Sequence, residues 1–138
     1  MPGFASKLHL HEWYKHGTCY GSNPDPNRYF QDALLLQDLV NSSKVQELFA
    51  SNIGNVITDT AIRTSFDNSF GTGTGKKVSV ECKRDIDEGR VIMVTELQIN
   101  LTGDINSNSS FTNLIAAGKN TKKDSCPSGE VDRAGVNR

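Results

Sequence analysis

Lys77-Val78-Ser79-Val80-Glu81-Cys82 and Val91-Ile92-Met93-Val94-Thr95-Glu96-Leu97-Gln98-Ile99-Asn100-Leu101 decide the fold class. In the first stretch Val78, Val80 and Cys82 alternate with Lys77, Ser79 and Glu81. In the second, Val91, Met93, Thr95, Leu97, Ile99 and Leu101 keep a two-residue period in phase. A period of two is that of a strand with one buried face. The charged turn Arg84-Asp85-Ile86-Asp87-Glu88-Gly89-Arg90 separates the stretches, so they read as an antiparallel hairpin.

Upstream, the period lengthens to that of a helix. Residues 8 to 17 form a short helix with Gly17 at the C′ position. Asn23-Pro24-Asp25-Pro26-Asn27 is a turn-rich break. Residues 28 to 41 follow with Tyr29, Phe30, Ala33, Leu34, Leu36 and Val40 on a broad apolar face. Ser43 and Gln46 have the spacing of a capping box before Val45, Leu48 and Phe49, and Asn52-Ile53-Gly54-Asn55 ends that helix. Ile62, Phe66 and Phe70 mark an amphipathic segment over 58 to 70. Gly71-Thr72-Gly73-Thr74-Gly75 reads as a plain loop, since a Walker phosphate cradle ends in Gly-Lys-Ser/Thr and here Lys76-Lys77 follow. Residues 102 to 125 are polar and read as an irregular surface segment. Helices followed by a hairpin give an α+β class, with no internal repeat.

The 138 residues suffice for one domain, 1 to 138. Lys plus Arg is 15 and Asp plus Glu is 16, so nucleic-acid binding needs a local site rather than a basic surface. No apolar run approaches the roughly 20 residues of a membrane-spanning helix. Met1-Pro2-Gly3-Phe4 lacks the features of a signal peptide. Asn41, Asn100 and Asn108 begin Asn-x-Ser/Thr sequons, which matter only in a glycosylating source. Cys19, Cys82 and Cys126 form an odd set. It fits a reduced cytosolic protein, an intermolecular disulfide or a missing partner.

The chemistry is concentrated in His11-Glu12-Trp13-Tyr14-Lys15-His16-Gly17-Thr18-Cys19. At about 100° per residue, His11 and Lys15 fall within about 40° of each other on a helix, as do Glu12 and His16. A phosphate beside this surface would meet Lys15 as a charge, His11 as a donor and His16 as an imidazole able to move a proton near neutral pH. Glu12 is placed to orient His16 or to join in proton transfer. Zinc needs its two helical histidines at i, i+4, whereas His11 and His16 lie about 140° apart. A Cys19–His16 nucleophile pair lacks any surrounding signature. Each residue alone suits a surface helix anchored by Trp13, but the whole string is too specific for that.

His11-Glu12-Trp13-x-Lys15-His16-Gly17-Thr18-Cys19 resembles the second active-site segment of the ribonuclease T2 family at every fixed position. Met1-Pro2-Gly3, Ala5-Ser6-x-Leu8, Asp25-Pro26-x-x-Tyr29-Phe30, Ser69-Phe70-Gly71, Val80-x-Cys82, Thr95-Glu96-Leu97-Gln98-Ile99 and Cys126-Pro127 extend the likeness along the chain. The resemblance implies a ribonuclease T2-like α+β fold and an endonuclease acting on single-stranded RNA without metal or cofactor. It implies His16 as general base on the ribose 2′-hydroxyl, Glu12 and Lys15 as stabilisers of the phosphorane, and His11 as the phosphate-binding residue. The product would be a 2′,3′-cyclic phosphate, later opened to a 3′-phosphate. It further implies a Cys82–Cys126 disulfide with Cys19 unpaired in this chain, a periplasmic or secreted location, and a monomeric intact enzyme with no membrane partner.

One departure from the pattern bears on activity. The family's earlier segment, roughly His-Gly-Leu-Trp-Pro, carries the general acid, and no such string occurs here. His9 is the one other histidine, in the non-matching setting Leu8-His9-Leu10. The chain therefore reads as the C-terminal part of a T2-type domain, weak or inactive alone. The alternative is a non-catalytic RNA-binding remnant. Base preference cannot be read, because most base-binding residues belong to the earlier part.

Overall fold

The hairpin is one half of a four-stranded mixed sheet in the computed structural model, which describes residues 7–20, 25–85, 91–105, 110–120 and 126–132. The chain divides into two compact units, residues 1–39 and 40–138.

The first unit holds helix α1, Lys7–Lys15, and most of α2, Pro26–Asn41. Pro26 opens α2, where its missing N–H leaves no bond unmade. The apolar face of α2 differs from the expected one. Leu34 is 60% exposed, while Asp32 is buried. Asp32 tolerates burial because its carboxylate accepts a hydrogen bond from Tyr20 Oη at 2.7 Å and lies 3.6 Å from Arg28 Nε.

The second unit begins with α3, Lys44–Ser51. Ser43 caps it as expected, but its Oγ accepts from the Val45 N–H rather than from that of Gln46. Strand β1, Val56–Thr58, leads into α4, Asp59–Phe70, where Thr58 Oγ1 accepts from the Ala61 N–H at 3.0 Å. Ile62, Phe66 and Phe70 are buried, as their spacing predicts. Each such side chain contributes roughly 1.5–3 kcal/mol by leaving water.

The glycine-rich loop after α4 has its own anion. Asp67 Oδ1 accepts from the N–H groups of Gly73 and Gly75 at 3.1 and 2.8 Å. Arg63 Nη1 donates to the carbonyls of Gly75 and Val78 at 2.9 and 2.6 Å, tying the loop to the sheet. These donors are occupied from within the chain, which accords with a structural loop. Asp67→Ala is expected to cost about 2 kcal/mol through the stranded N–H groups. Urea unfolding would read this as a lower midpoint at unchanged slope.

Strands β2, Val78–Asp85, and β3, Val91–Ile99, pair antiparallel. Residues 86–90 of the expected turn lie outside the described residues. The alternation of β3 is interrupted, contrary to the in-phase reading. Val80 faces Leu97 and Glu81 faces Glu96, but Cys82 faces Val94, so Thr95 is passed over as a β-bulge. Val94 then shares a sheet face with Leu97, and Met93 turns to the opposite face, where it is buried. Thr95 Oγ1 donates to the Glu81 carbonyl at 3.3 Å within this irregularity.

The segment expected to be irregular contains α5, Phe111–Ala117. Ser110 caps it by accepting from the Asn113 N–H at 3.2 Å. Phe111, Leu114 and Ile115 are buried, and the Phe111 ring stands edge-on to Phe70 with centroids 4.6 Å apart. Three inward side chains on two turns of helix outweigh its polar surroundings. Asn100 Nδ2, the nitrogen of one sequon, donates to the carbonyls of Lys119 and Asn120 at 3.2 and 3.4 Å. Asn108, of another sequon, lies outside the described residues.

Strand β4, Ser128–Glu130, completes the sheet in the order β1-β4-β3-β2. It pairs antiparallel with β1 and parallel with β3. A Cβ at Gly129 would stand 3.0 Å from Val94 and 3.1 Å from Cys82 Sγ, which explains a residue without a side chain there. Cys82 and Cys126 are joined by a disulfide with Cα atoms 5.9 Å apart. Cys19 is a free, exposed thiol. Among the described residues no helix is long and apolar enough to cross a membrane.

Candidate active site

The expected site residues His11, Glu12, Lys15 and His16 sit on the nine-residue helix α1 and the residue that follows it. Trp13 is their anchor: it is buried, while His11, Lys15 and His16 are exposed and Glu12 is half-buried. A helix alternating in this way presents one apolar side to its neighbour and leaves the rest to water. Lys15 ends the helix, where its charge complements the negative end of the helix dipole.

Helix α1 ends at Lys15, close to the end its sequence suggests. His16 has φ −119° and ψ −47°, and the chain continues as a tight 3-10 turn over Gly17–Cys19. The His16 N–H still donates to the Glu12 carbonyl at 2.9 Å. In turn the His16 carbonyl accepts from the Cys19 N–H at 3.2 Å, so its backbone is held on both sides. His16 Nε2 lies 3.7 Å from Glu12 Oε2. The imidazole is thus paired with a carboxylate yet 54% exposed, accessible to a ligand.

Gly17 serves a purpose other than the left-handed C′ role its position suggests. It is buried, and a Cβ there would overlap the Trp13 ring and stand 3.0 Å from the Tyr29 ring. The close approach of turn, Trp13 and α2 is what demands glycine. Tyr29 supplies the floor of this corner, with ring centroids 6.1 Å from Trp13 and 5.6 Å from Tyr20. Its phenol is held above its ordinary pKa, first by partial burial and second by the negative charge of Glu12. Tyr29 is therefore a neighbour of the site that its residue type alone did not mark. Its place in Asp25-Pro26-x-x-Tyr29-Phe30 was the available signal.

His9 lies apart from the four. Its ring packs against Phe30 with centroids 5.4 Å apart, beside a groove of about 480 Å³ that also involves Asn27, Gln31, Leu34 and Gln37. None of His11, Glu12, Lys15 or His16 lines that groove. Among the described residues no three His, Cys, Asp or Glu side chains converge as a metal cluster.

His11, Lys15 and His16 are exposed on α1 and at its end, and Glu12 stands beside His16. That is an arrangement suited to an anionic oxygen where charge develops. The family model described as "Ribonuclease T2 family" matches residues 3–117. Ribonuclease I of Escherichia coli (strain K12) is 29% identical over 106 residues, which is 75% of this chain. The chain spans 37% of the length of that relative. The matched stretch holds the helical segment, the glycine corner and strands β1 to β3, with β4 beyond it, and it covers most of the molecule; the chain belongs to the ribonuclease T2 family.

Proposed function

We propose that this chain carries catalytic groups of an endoribonuclease that cleaves single-stranded RNA by transesterification. The observation that carries the reading is the His16–Glu12 pair, 3.7 Å apart at the end of a helix that also carries the exposed His11 and Lys15. His16 takes the proton of the ribose 2′-hydroxyl as its oxygen forms a bond to phosphorus. The bond from phosphorus to the 5′-oxygen breaks, and that oxygen must receive a proton. A 2′,3′-cyclic phosphate results, which water later opens to a 3′-phosphate. Lys15 and Glu12 stabilise the phosphorane and His11 holds the phosphate, so donors and charge meet the developing negative oxygens. No metal ion enters the step.

The chain contains three histidines, and all three belong to α1 and its end. The reading assigns none of them as the second proton carrier: His9, the remaining one, packs on Phe30. These 138 residues alone are therefore expected to cleave slowly. The same observation favours a second reading, an RNA-binding remnant without turnover. A disulfide at Cys82–Cys126 supports a periplasmic or secreted location, since such bonds persist in oxidising compartments.

The test is release of cyclic phosphate from labelled single-stranded RNA in EDTA, at about pH 5 to 8. Slow release of products with 2′,3′-cyclic ends is the expected result. Products with 5′-phosphate ends, or cleavage lost in EDTA, would overturn the mechanism. RNA binding with no cyclic product at any pH would favour the remnant.

A further inference from the structure

The turn that follows His16 is tied to α2 by a buried carboxylate that proton transfer does not use. Asp32 is 8% exposed on α2 and accepts from Tyr20 Oη at 2.7 Å across twelve residues of chain. Arg28 Nε stands 3.6 Å away on the preceding turn of the same helix, so the carboxylate has a cationic neighbour beside the phenol hydroxyl. Short bonds to a charged acceptor are the stronger kind and hold a narrow geometry. Tyr20 directly follows the 3-10 turn, and its N–H donates to the Gly17 carbonyl at 2.9 Å. Its ring meets Tyr29 edge-on, and Tyr29 in turn packs toward Trp13 and Gly17.

We infer that Asp32 and Tyr20 are positioning residues: they clamp the end of the catalytic segment to α2 and so hold His16 beside Glu12. The inference rests on the ribonuclease reading for its functional part, and on geometry alone for its structural part. His16 lies outside the regular helix, and on its C-terminal side its carbonyl is held by the Cys19 N–H, within the turn that the Tyr20 N–H closes on Gly17 and the Thr18 hydroxyl ties to the Tyr14 carbonyl. Releasing Tyr20 frees that turn. The imidazole then samples orientations away from Oε2 of Glu12, and a proton acceptor displaced by about 1 Å loses much of its rate advantage. Neither Asp32 nor Tyr20 needs to touch RNA for this effect.

The experiment compares the 138-residue chain with Tyr20→Phe, which keeps the ring and removes the donor. Asp32→Asn, which keeps an acceptor oxygen without the charge, is the conservative partner. Two quantities are read. The first is the nuclear Overhauser contact between the His16 ring and the Glu12 side chain, which needs no catalysis. The second is the split between kcat and KM for RNA cleavage. Tyr20→Phe is expected to weaken the contact and to lower kcat about tenfold with KM little changed, while Asp32→Asn recovers part of both. An unchanged contact in folded Tyr20→Phe overturns the inference, as does an unchanged kcat where the contact is lost. If the parent chain cleaves no RNA, the ribonuclease reading has failed and the contact alone decides the clamp. Unfolding of both variants would assign the pair to holding the fold and would also overturn it.

Discussion

His16→Ala is expected to lower RNA cleavage by about 10²- to 10⁴-fold, or to the background of RNA in buffer where the parent rate is smaller than that. In the proposed mechanism the loss reflects removal of the group that accepts the 2′-hydroxyl proton. The side chain is 54% exposed, so its truncation empties no core and leaves folding intact. Circular dichroism and thermal unfolding of the variant should therefore match the parent. Glu12→Gln tests the other half of the pair, keeping the shape of the side chain while removing the charge beside His16. Near-normal cleavage by His16→Ala would refute its assigned role. The proton acceptor would then have to be sought elsewhere, with His11 the nearest imidazole in sequence.

Removing the Cys82–Cys126 bond is expected to destabilise the second unit by about 3–4 kcal/mol. The bridge spans a sequence separation of 44, and closing a loop of that length restricts the unfolded chain far more than the folded one. The bond also lies over the sheet, since a Cβ at Gly129 of β4 would stand 3.1 Å from Cys82 Sγ of β2. The double variant Cys82→Ala, Cys126→Ala separates this from redox effects on Cys19. Equilibrium unfolding in urea would report the difference, with mass mapping of the parent to establish the bond. A bond from Cys19 to Cys82 in that map would contradict the arrangement.

The sequence was most legible where one periodicity ran without interruption. Ile62, Phe66 and Phe70 repeat every four residues, and all three are buried in α4. The nine-residue segment from His11 was legible for another reason. Its expected site residues are neighbours in sequence, so one helix and the residue after it carry all four, with Glu12 and His16 3.7 Å apart. Tyr29 and Asp32 were not marked as parts of that corner, because their contacts are made between helices. Asp32 looks like a solvated charge until Tyr20 is seen to meet it.

Short elements were the other weakness. Strands β1 and β4 have three residues each, too few to display a period. Helix α5 had a capping serine and apolar residues at the right spacing, but only seven residues among many polar ones. The bulge at Thr95 defeated the strand pattern for a different reason. A threonine suits either face of a sheet, so the change of phase left no mark in composition. The corner at Gly17 was placed correctly and explained wrongly. A glycine after a helix suggests a left-handed residue, whereas here aromatic crowding sets the choice.

The strand order has a consequence for synthesis. β4 lies between β1 and β3, yet it follows both in the chain. As the polypeptide leaves the ribosome, β2 and β3 can pair at once through their local turn. β1 must wait for residues 128–130, more than 70 positions later, before it gains a partner. The β1 edge at Ile57 therefore stays unpaired until β4 has been made, a period in which unpaired strands invite association between nascent chains. Ribosome-bound chains halted before Ser128 should be much more prone to aggregate than those halted once β4 has emerged.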